Sequence, residues 1–263
     1  MIDSQEFKPY EILPIKTIEQ LVSSYLVAEI LIDIRNEIKN KESNELQFNL
    51  PKLTVNKGVV ISERAQKLYE RAFSIMKFKP SYIFIMKLGL EDMFNYKFSE
   101  DASITTMGSA DTAHLQKMFS SRFSDLSRIN LEEHTLNVFE KSLDIAEQSG
   151  RASSMSIAIL GALFHDFGKS SKIRRLILGE GMQRGSKAHA EVSALYLQDL
   201  LLPRVYNIIE DSYLLTESTD RLVDIVKFHH PANAKQREDL EISFVINADH
   251  EARKNEMTNL RRK

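Results

Sequence analysis

The stretch GALFHDFGKSS (residues 161–171) places an ionisable pair, His165 and Asp166, at the end of a run of small and apolar residues. Residues from about 152 to 166 have the spacing of a helix. Packing alone would favour another apolar side chain at these positions, because a buried ionisable group without a partner costs free energy. The doublet therefore needs partners from elsewhere in the chain.

The second half of the chain is predicted to be all-helical. Asn130 is a suitable N-cap with Glu133 three positions later, and Gly150 ends the apolar-faced segment between them. Further helices are predicted at about 152–166, 187–201, 203–211, 218–230 and 238–255. No repeat or low-complexity tract interrupts this pattern, so the predicted fold class is mainly α.

The first half is less regular but also mostly helical in pattern. Apolar residues recur at helical spacing over residues 16–41 and 62–78, and the second pattern fades near Pro80. The segment LPKLTVNKGVVI (50–61) contains Pro and Gly and predicts a short strand pair or an irregular connection.

A domain boundary is predicted near residue 110, since the stretch EDASITTMGSAD (100–111) is polar and rich in small residues. This divides the chain into an N-terminal helical region, residues 1–110, and a C-terminal domain, residues 111–263. The N-terminal region carries no motif, so regulation, dimerisation and covering of a site all stay open as its role. The oligomeric state is also left open.

The composition excludes several classes of protein. The balance of 35 basic against 37 acidic residues favours neither a nucleic-acid coat nor an anionic membrane as the partner of the whole chain. The absence of cysteine excludes disulfides, thiolate metal sites and cysteine nucleophiles, and it fits a reducing cytoplasm. The stretch YLVAEILIDI is interrupted by Glu29 and Asp33, so neither a signal peptide nor a membrane span is predicted.

Six of the seven histidines fall in the second half of the chain, on or beside predicted helices. A lone histidine on an apolar face is usually a satisfied core residue, but a whole set would leave many buried polar groups unpaired. A metal centre would satisfy them together, because helix bundles can direct side chains from several helices to one point. The candidate ligands are His134, His165, Asp166, His189, His229, His230 and Asp249.

Three other residues receive separate interpretations. His114 precedes the motif series and is predicted to be structural or exposed. His250 adjoins Asp249 but points about 100° away from it on a helix, which predicts a position behind a ligand or on the surface. Arg253 lies one turn beyond Asp249, where it could orient that carboxylate or contact substrate.

The order of these motifs resembles that of the HD-domain metal-dependent phosphohydrolases. LFHDFGK is similar to the family's recurrent doublet motif, FHH to its later histidine motif, and INADHEAR to its final aspartate helix. The resemblance covers roughly residues 126–255 and implies a helical HD-domain bundle.

The resemblance also implies two ion positions that share Asp166. The first position would be held by His134, His165, Asp166 and Asp249. The second would be held by Asp166, His189 and either His229 or His230. A nitrogen-rich site without thiolates suits Mn, Fe, Co, Ni or Zn, whereas Ca and Mg prefer oxygen ligands. The expected cofactor is therefore one or two divalent transition metal ions.

A basic segment follows the doublet. In GKSSKIRRLILGEGMQRGSK (168–187), six basic residues stand against one acidic residue, Glu180. Lys169 can reach the mouth of the metal site and neutralise charge on a phosphoryl group, so Asp166 and Lys169 are the predicted catalytic residues. The predicted substrate contacts are Lys169, Arg174, Arg175, Arg184 and Lys187, although the arginines could also form a solvated face.

The predicted function is hydrolysis of a phosphoester or phosphoanhydride bond by a metal-activated water, in a phosphorylated small molecule or nucleotide-like substrate. Cyclic-di-GMP phosphodiesterases carry a GYP sequence after the double histidine, and guanosine tetraphosphate hydrolases carry an ED pair after the doublet. Both motifs are absent from this sequence, which argues against these two subfamilies. One alternative is an HD-type nuclease, or an HD domain of a conjugative relaxase, acting on single-stranded DNA. Another is a non-catalytic HD-like signalling or scaffold module.

Overall fold

The computed structural model describes residues 50–76, 79–104, 126–180, 188–207, 213–230 and 238–262, all within one compact unit, Leu50–Lys263. The predictions that lie outside these residues are the helix at 16–41, the boundary near residue 110, His114, Arg184 and Lys187.

The described residues are mainly helical, which confirms the predicted class. The helices are α1 (Glu63–Met76), α2 (Pro80–Asn95), α3 (Leu131–Gln148), α4 (Ser156–Phe164), α5 (Ser171–Leu178), α6 (His189–Tyr196), α7 (Leu202–Tyr206), α8 (Tyr213–Phe228) and α9 (Leu240–Arg262). Short 3₁₀ turns lie at Phe98–Glu100 and Phe167–Lys169, and a π-helical turn, Leu197–Leu201, joins α6 to α7.

The strand pair considered for residues 50–61 is wrong. This segment is an irregular connection with one turn, and the described ranges contain no strand, only an isolated bridge between Ala102 and Asn130. Two side chains of α2 accept hydrogen bonds from its backbone instead: Glu91 accepts from the Thr54 N–H, and Asn95 accepts from the Asn56 N–H at 2.8 Å.

The helix that begins after Asn130 is confirmed together with its cap. The Asn130 side chain accepts a hydrogen bond from the Glu133 N–H at 2.8 Å, which satisfies one free donor of the first turn of α3. The helix ends at Gln148, and Gly150 follows with φ at +66°, a conformation that favours glycine. This cap fixes the start of the helix that carries His134.

The expectation that helical patterning fades near Pro80 is wrong, because α2 begins at that residue. Proline suits the first position of a helix, where the missing N–H would have no partner. Most residues of α2 from Tyr82 to Phe94 are buried, so its apolar residues surround the helix instead of forming one stripe. That is why periodicity did not reveal it.

Helix α4 is the centre of the bundle and delivers the histidine–aspartate doublet to the interior. Every residue from Ser156 to Phe164 is buried, and the helix packs against α2, α3, α8 and α9. Each buried large apolar side chain contributes about 1.5–3 kcal/mol relative to exposure. The packing of α4 therefore outweighs the cost of placing polar residues immediately after it.

The turn after the doublet packs tightly on α6. The Gly168 N–H donates to the Ser193 hydroxyl at 2.7 Å, and that hydroxyl donates to the His165 carbonyl at 3.0 Å. A Cβ at Gly168 would lie 2.0 Å from the His189 carbonyl oxygen. The absence of a side chain at Gly168 therefore lets His189 approach the doublet.

The segment before the undescribed residues 105–125 ties three parts of the bundle together. The Asp101 carbonyl accepts from the Leu131 N–H at 2.8 Å, and its carboxylate accepts from the Ser171 N–H at 3.0 Å. Arg253 of α9 donates to both the hydroxyl and the carbonyl of Ser103.

Within the described ranges, no helix is long and apolar enough to cross a membrane.

Gly168→Ala is expected to destabilise the protein, because its Cβ meets backbone atoms of α6 that cannot move independently of the helix. Overpacking of this kind costs about 1–3 kcal/mol, or about 2–12 °C in melting temperature for a unit of this size. Gly161→Ala is the matched comparison, because its Cβ meets a side-chain methyl group of Ile225, at 2.5 Å, instead of backbone atoms. Calorimetric melting should show the larger fall for Gly168→Ala, and equal or reversed shifts would contradict this packing.

Candidate metal centre

Two groups of side chains meet beside the end of α4. In the first cluster, formed by His134, His165 and Asp249, one potential ligand atom from each residue lies within 4.8 Å of the others. In the second cluster, His189, His229 and His230 meet the same criterion. These residues come from α3, α4, α6, α8 and α9 or from positions directly after them, so the fold brings together groups far apart in sequence.

Asp166 lies between the two clusters, and its two oxygens face different sides. Oδ2 is 3.4 Å from Nε2 of His134 and 3.3 Å from Nε2 of His165. Oδ1 is 3.2 Å from Nε2 of His189 in the second cluster. The structure therefore places all seven predicted ligands at one centre, with the doublet aspartate in the bridging position.

The histidine rings are oriented by bonds at their far nitrogens. Nδ1 of His165 lies 2.8 Å from the Ala162 carbonyl, and Nδ1 of His229 lies 2.6 Å from the Val226 carbonyl. A carbonyl only accepts, so Nδ1 carries the hydrogen in both rings, and Nε2 of the neutral ring presents its lone pair to the centre. This is the arrangement typical of histidine ligands.

Four buried atoms of the two clusters make no well-aligned hydrogen bond in the part of the chain that the structure describes, although two of them, Nε2 of His134 and Oδ1 of Asp249, lie 3.2 Å apart. They are Nε2 of His134, His165 and His229, and Oδ1 of Asp249. Leaving several buried polar atoms unpaired is costly, and all four face the same centre. The donor set of imidazole nitrogens and carboxylate oxygens fits a divalent transition metal, which would satisfy these atoms together.

The pKa of His134 in the first cluster is raised, whereas that of His229 in the second cluster is lowered. Burial and the Arg253 charge lower the pKa of His134, but the carboxylates of Glu256, Asp166 and Asp249 outweigh them and raise it to about 10. His134 therefore holds a proton near these carboxylates, and a cation that binds at Nε2 must displace that proton.

His229 of the second cluster favours the neutral imidazole. Burial, together with the neighbouring histidines His230, His165 and His189, keeps the pKa of His229 well below its ordinary value. Nε2 of His230 and Nε2 of His189 face each other at 2.8 Å. Two nitrogens at that distance share one hydrogen, or turn their lone pairs towards a common cation.

The carboxylate of Asp166 stays ionised in spite of its surroundings. Burial raises its pKa, but His165, Lys169 and the contact with His134 lower it well below the usual value. The Asp249 pKa is lowered in the same way, mainly by His134 against the effect of burial. Both groups are therefore available as anionic ligands at neutral pH.

Glu256 is not among the site residues predicted from the sequence, although it contacts the predicted ligand His134 directly. Its Oε1 lies 2.9 Å from Nδ1 of His134, and the residue is 3% exposed. Asp249, Arg253 and Glu256 stand at positions i, i+4 and i+7 of α9, which places them on one face. That spacing of three charged residues on one face was the signal that could have revealed it.

The basic residues near the doublet have different environments. The Lys169 ammonium lies 2.7 Å from Oδ2 of Asp166, and its side chain is only 8% exposed. Arg174 is buried and donates to the Gly168 carbonyl at 3.1 Å, so this guanidinium stabilises the doublet turn. Arg175 is exposed on α5, as is Lys172. Substrate contact by these residues stays a prediction.

The part of the chain that carries the two clusters matches a known family of domains. A family model described as HD domain matches residues 131–258, a range that includes both clusters and Asp166. Over residues 131–258, this match confirms the resemblance to the HD-domain metal-dependent phosphohydrolases that the motif order indicated. No curated protein and no solved structure matches the chain.

Protein purified without chelator is expected to contain about one to two transition metal ions per chain by elemental analysis, because two adjacent ligand groups share one carboxylate. His165→Ala removes a buried ligand atom and should lower this content, whereas His250→Ala, outside both clusters, should not. A content below about a tenth of an ion per chain, with no uptake of added Mn or Fe, would contradict the metal centre.

Proposed function

We propose that this domain is a metal-dependent phosphohydrolase that cleaves a phosphoester or phosphoanhydride bond in a nucleotide-like substrate. The observation that supports this most strongly is the position of Asp166, whose two oxygens face separate ligand clusters. Two-metal sites of this kind are common among enzymes that transfer phosphoryl groups. Bound ions at such a site lower the pKa of a water molecule and polarise a phosphoryl oxygen.

The proposed substrate reaches the centre from the side of Asp249 and His230. The Asp249 side chain is 34% exposed and His230 is partly buried, whereas His134 and His165 are completely buried. The buried histidines therefore form the closed wall of the site. Because that wall is enclosed by α3, α4 and α9, it also limits the entry of bulk water.

Lys169 supplies a positive charge next to Asp166 in this proposal. Its ammonium is held near the centre by Asp166 at 2.7 Å, so it needs only a small movement to donate to a phosphate oxygen. Arg175 and Lys172, exposed on the following helix, extend this charge for a polyanionic substrate. A positioned cation of this kind stabilises charge that develops on a transferring phosphoryl group.

The test is a screen of nucleotides, cyclic dinucleotides and single-stranded DNA against Mn-, Co- and Ni-loaded protein. Asp166→Asn removes the shared anionic ligand while keeping the side-chain size, so hydrolysis should fall about 10³-fold or more. Asp220→Asn, on the exposed surface of α8, is the matched control and should keep wild-type activity. Comparable activity of Asp166→Asn and wild type would refute the proposal, and cleavage of DNA alone would favour a nuclease.

Lys169→Met should lower the turnover number about 10²-fold with little change in bound metal, because it removes one positioned electrostatic donor. Lys67→Met, an exposed lysine on α1 whose side chain is 71% accessible, is the control. If only the Michaelis constant rises, Lys169 binds the substrate without stabilising the transition state. If neither parameter changes, Lys169 does not contact the phosphate.

A further inference from the structure

A buried carboxylate lies directly behind the first cluster. Glu256 accepts through Oε1 from Nδ1 of His134 at 2.9 Å, on the opposite side of the ring from the cluster. Through the same oxygen it accepts from the Asn137 amide at 2.8 Å, and through Oε2 from Arg253 at 2.9 Å. Each oxygen therefore has at least one donor, and the carboxylate is fixed in one orientation.

The supports of Glu256 come from three separate elements. Asn137 lies one turn after His134 on α3, and its own oxygen accepts from Arg64 of α1 at 2.8 Å. Because one end of the Asn137 amide faces a cation and the other a carboxylate, the orientation of the amide is defined. Arg253 is 2% exposed and also bonds Ser103, so it fixes the position of the carboxylate along α9.

The acceptor at Nδ1 of His134 is of a different kind from those at His165 and His229. His165 and His229 direct Nδ1 at carbonyls of their own helices, and backbone geometry sets those contacts. His134 depends on a side chain from α9 for the same purpose. An anionic acceptor also strengthens the electron donation of the ring more than a carbonyl does.

We propose that Glu256 is the positioning residue of the first cluster: it holds the His134 ring with Nε2 towards the ion and thereby sets the metal affinity of this cluster. Arg253 and Asn137 keep the carboxylate in place. The proposal depends on the metal centre, but it does not depend on which bond the enzyme cleaves.

A pair of double variants isolates this role. Removing Glu256 alone would leave the Arg253 charge buried without its partner, which is destabilising in itself. Arg253→Met with Glu256→Gln removes both charges but keeps an acceptor for His134. Arg253→Met with Glu256→Met removes both charges and the acceptor, with a side chain of nearly the same size. The two proteins therefore differ chiefly at the atom that faces Nδ1.

The measurement is calorimetric titration of the metal-free proteins with Co²⁺, without substrate. The Met/Met variant should bind the first ion about 10–100-fold more weakly than the Met/Gln variant, the range typical of losing a partner of a ligating histidine. Glu251→Gln, on the exposed side of α9, is the control and should bind as wild type does. Equal affinities of the two double variants would overturn the proposal.

Arg253→Met alone separates positioning from a merely structural role. Asn137 still donates to the Glu256 oxygen that faces His134, so the acceptor stays in place without Arg253. The variant also removes a positive charge near Asp249, so Co²⁺ affinity should hold or rise while the melting temperature falls. If affinity and melting temperature fall together in every variant, Glu256 acts only through stability and the proposal is wrong. Since no substrate is involved, an inactive protein with these affinities would contradict the proposed function alone.

Discussion

The carboxylate of Asp166 is the group on which the rest of the centre depends. It is buried and ionised, and such a charge is tolerated only when opposite charges and hydrogen-bond donors surround it. Histidines of both clusters and the Lys169 ammonium provide these surroundings. The fold therefore has to bring several helices to one point, and this requirement explains why so many polar residues lie in an otherwise apolar interior.

Packing of the apolar core offsets the free-energy cost of burying these polar groups. Helix α4, buried along its full length, fixes the doublet at the centre, and the neighbouring helices contribute the other ligands. Close approach at Gly168 brings α6 to the doublet turn, and the Ser193 hydroxyl connects the two segments. Packing thus sets the distances between polar groups, while the polar groups contribute specificity to the centre more than stability to the fold.

Sequence predicted the features that depend on local pattern and on motif order. The Asn130 cap, the mainly α class and the proximity of the seven candidate ligands all followed from helical periodicity and from histidines at apolar positions. Helix α2 did not, because most of its residues are buried on all sides and the helical pattern was expected to fade near Pro80. The roles of Arg174 and Glu256 depend on contacts between distant segments, which spacing along the chain does not determine.

The most direct test of this account is anomalous diffraction from crystals of the Mn²⁺-loaded protein, recorded at the manganese edge. The account predicts a peak beside His134, His165 and Asp249, and a second beside His189, His229 and His230, on opposite sides of the Asp166 carboxylate and about 3.5–4 Å apart. A single peak at the first cluster would retain the metal centre and reduce it to one ion. The absence of any peak within reach of Asp166, with manganese bound elsewhere or not at all, would contradict the central claim.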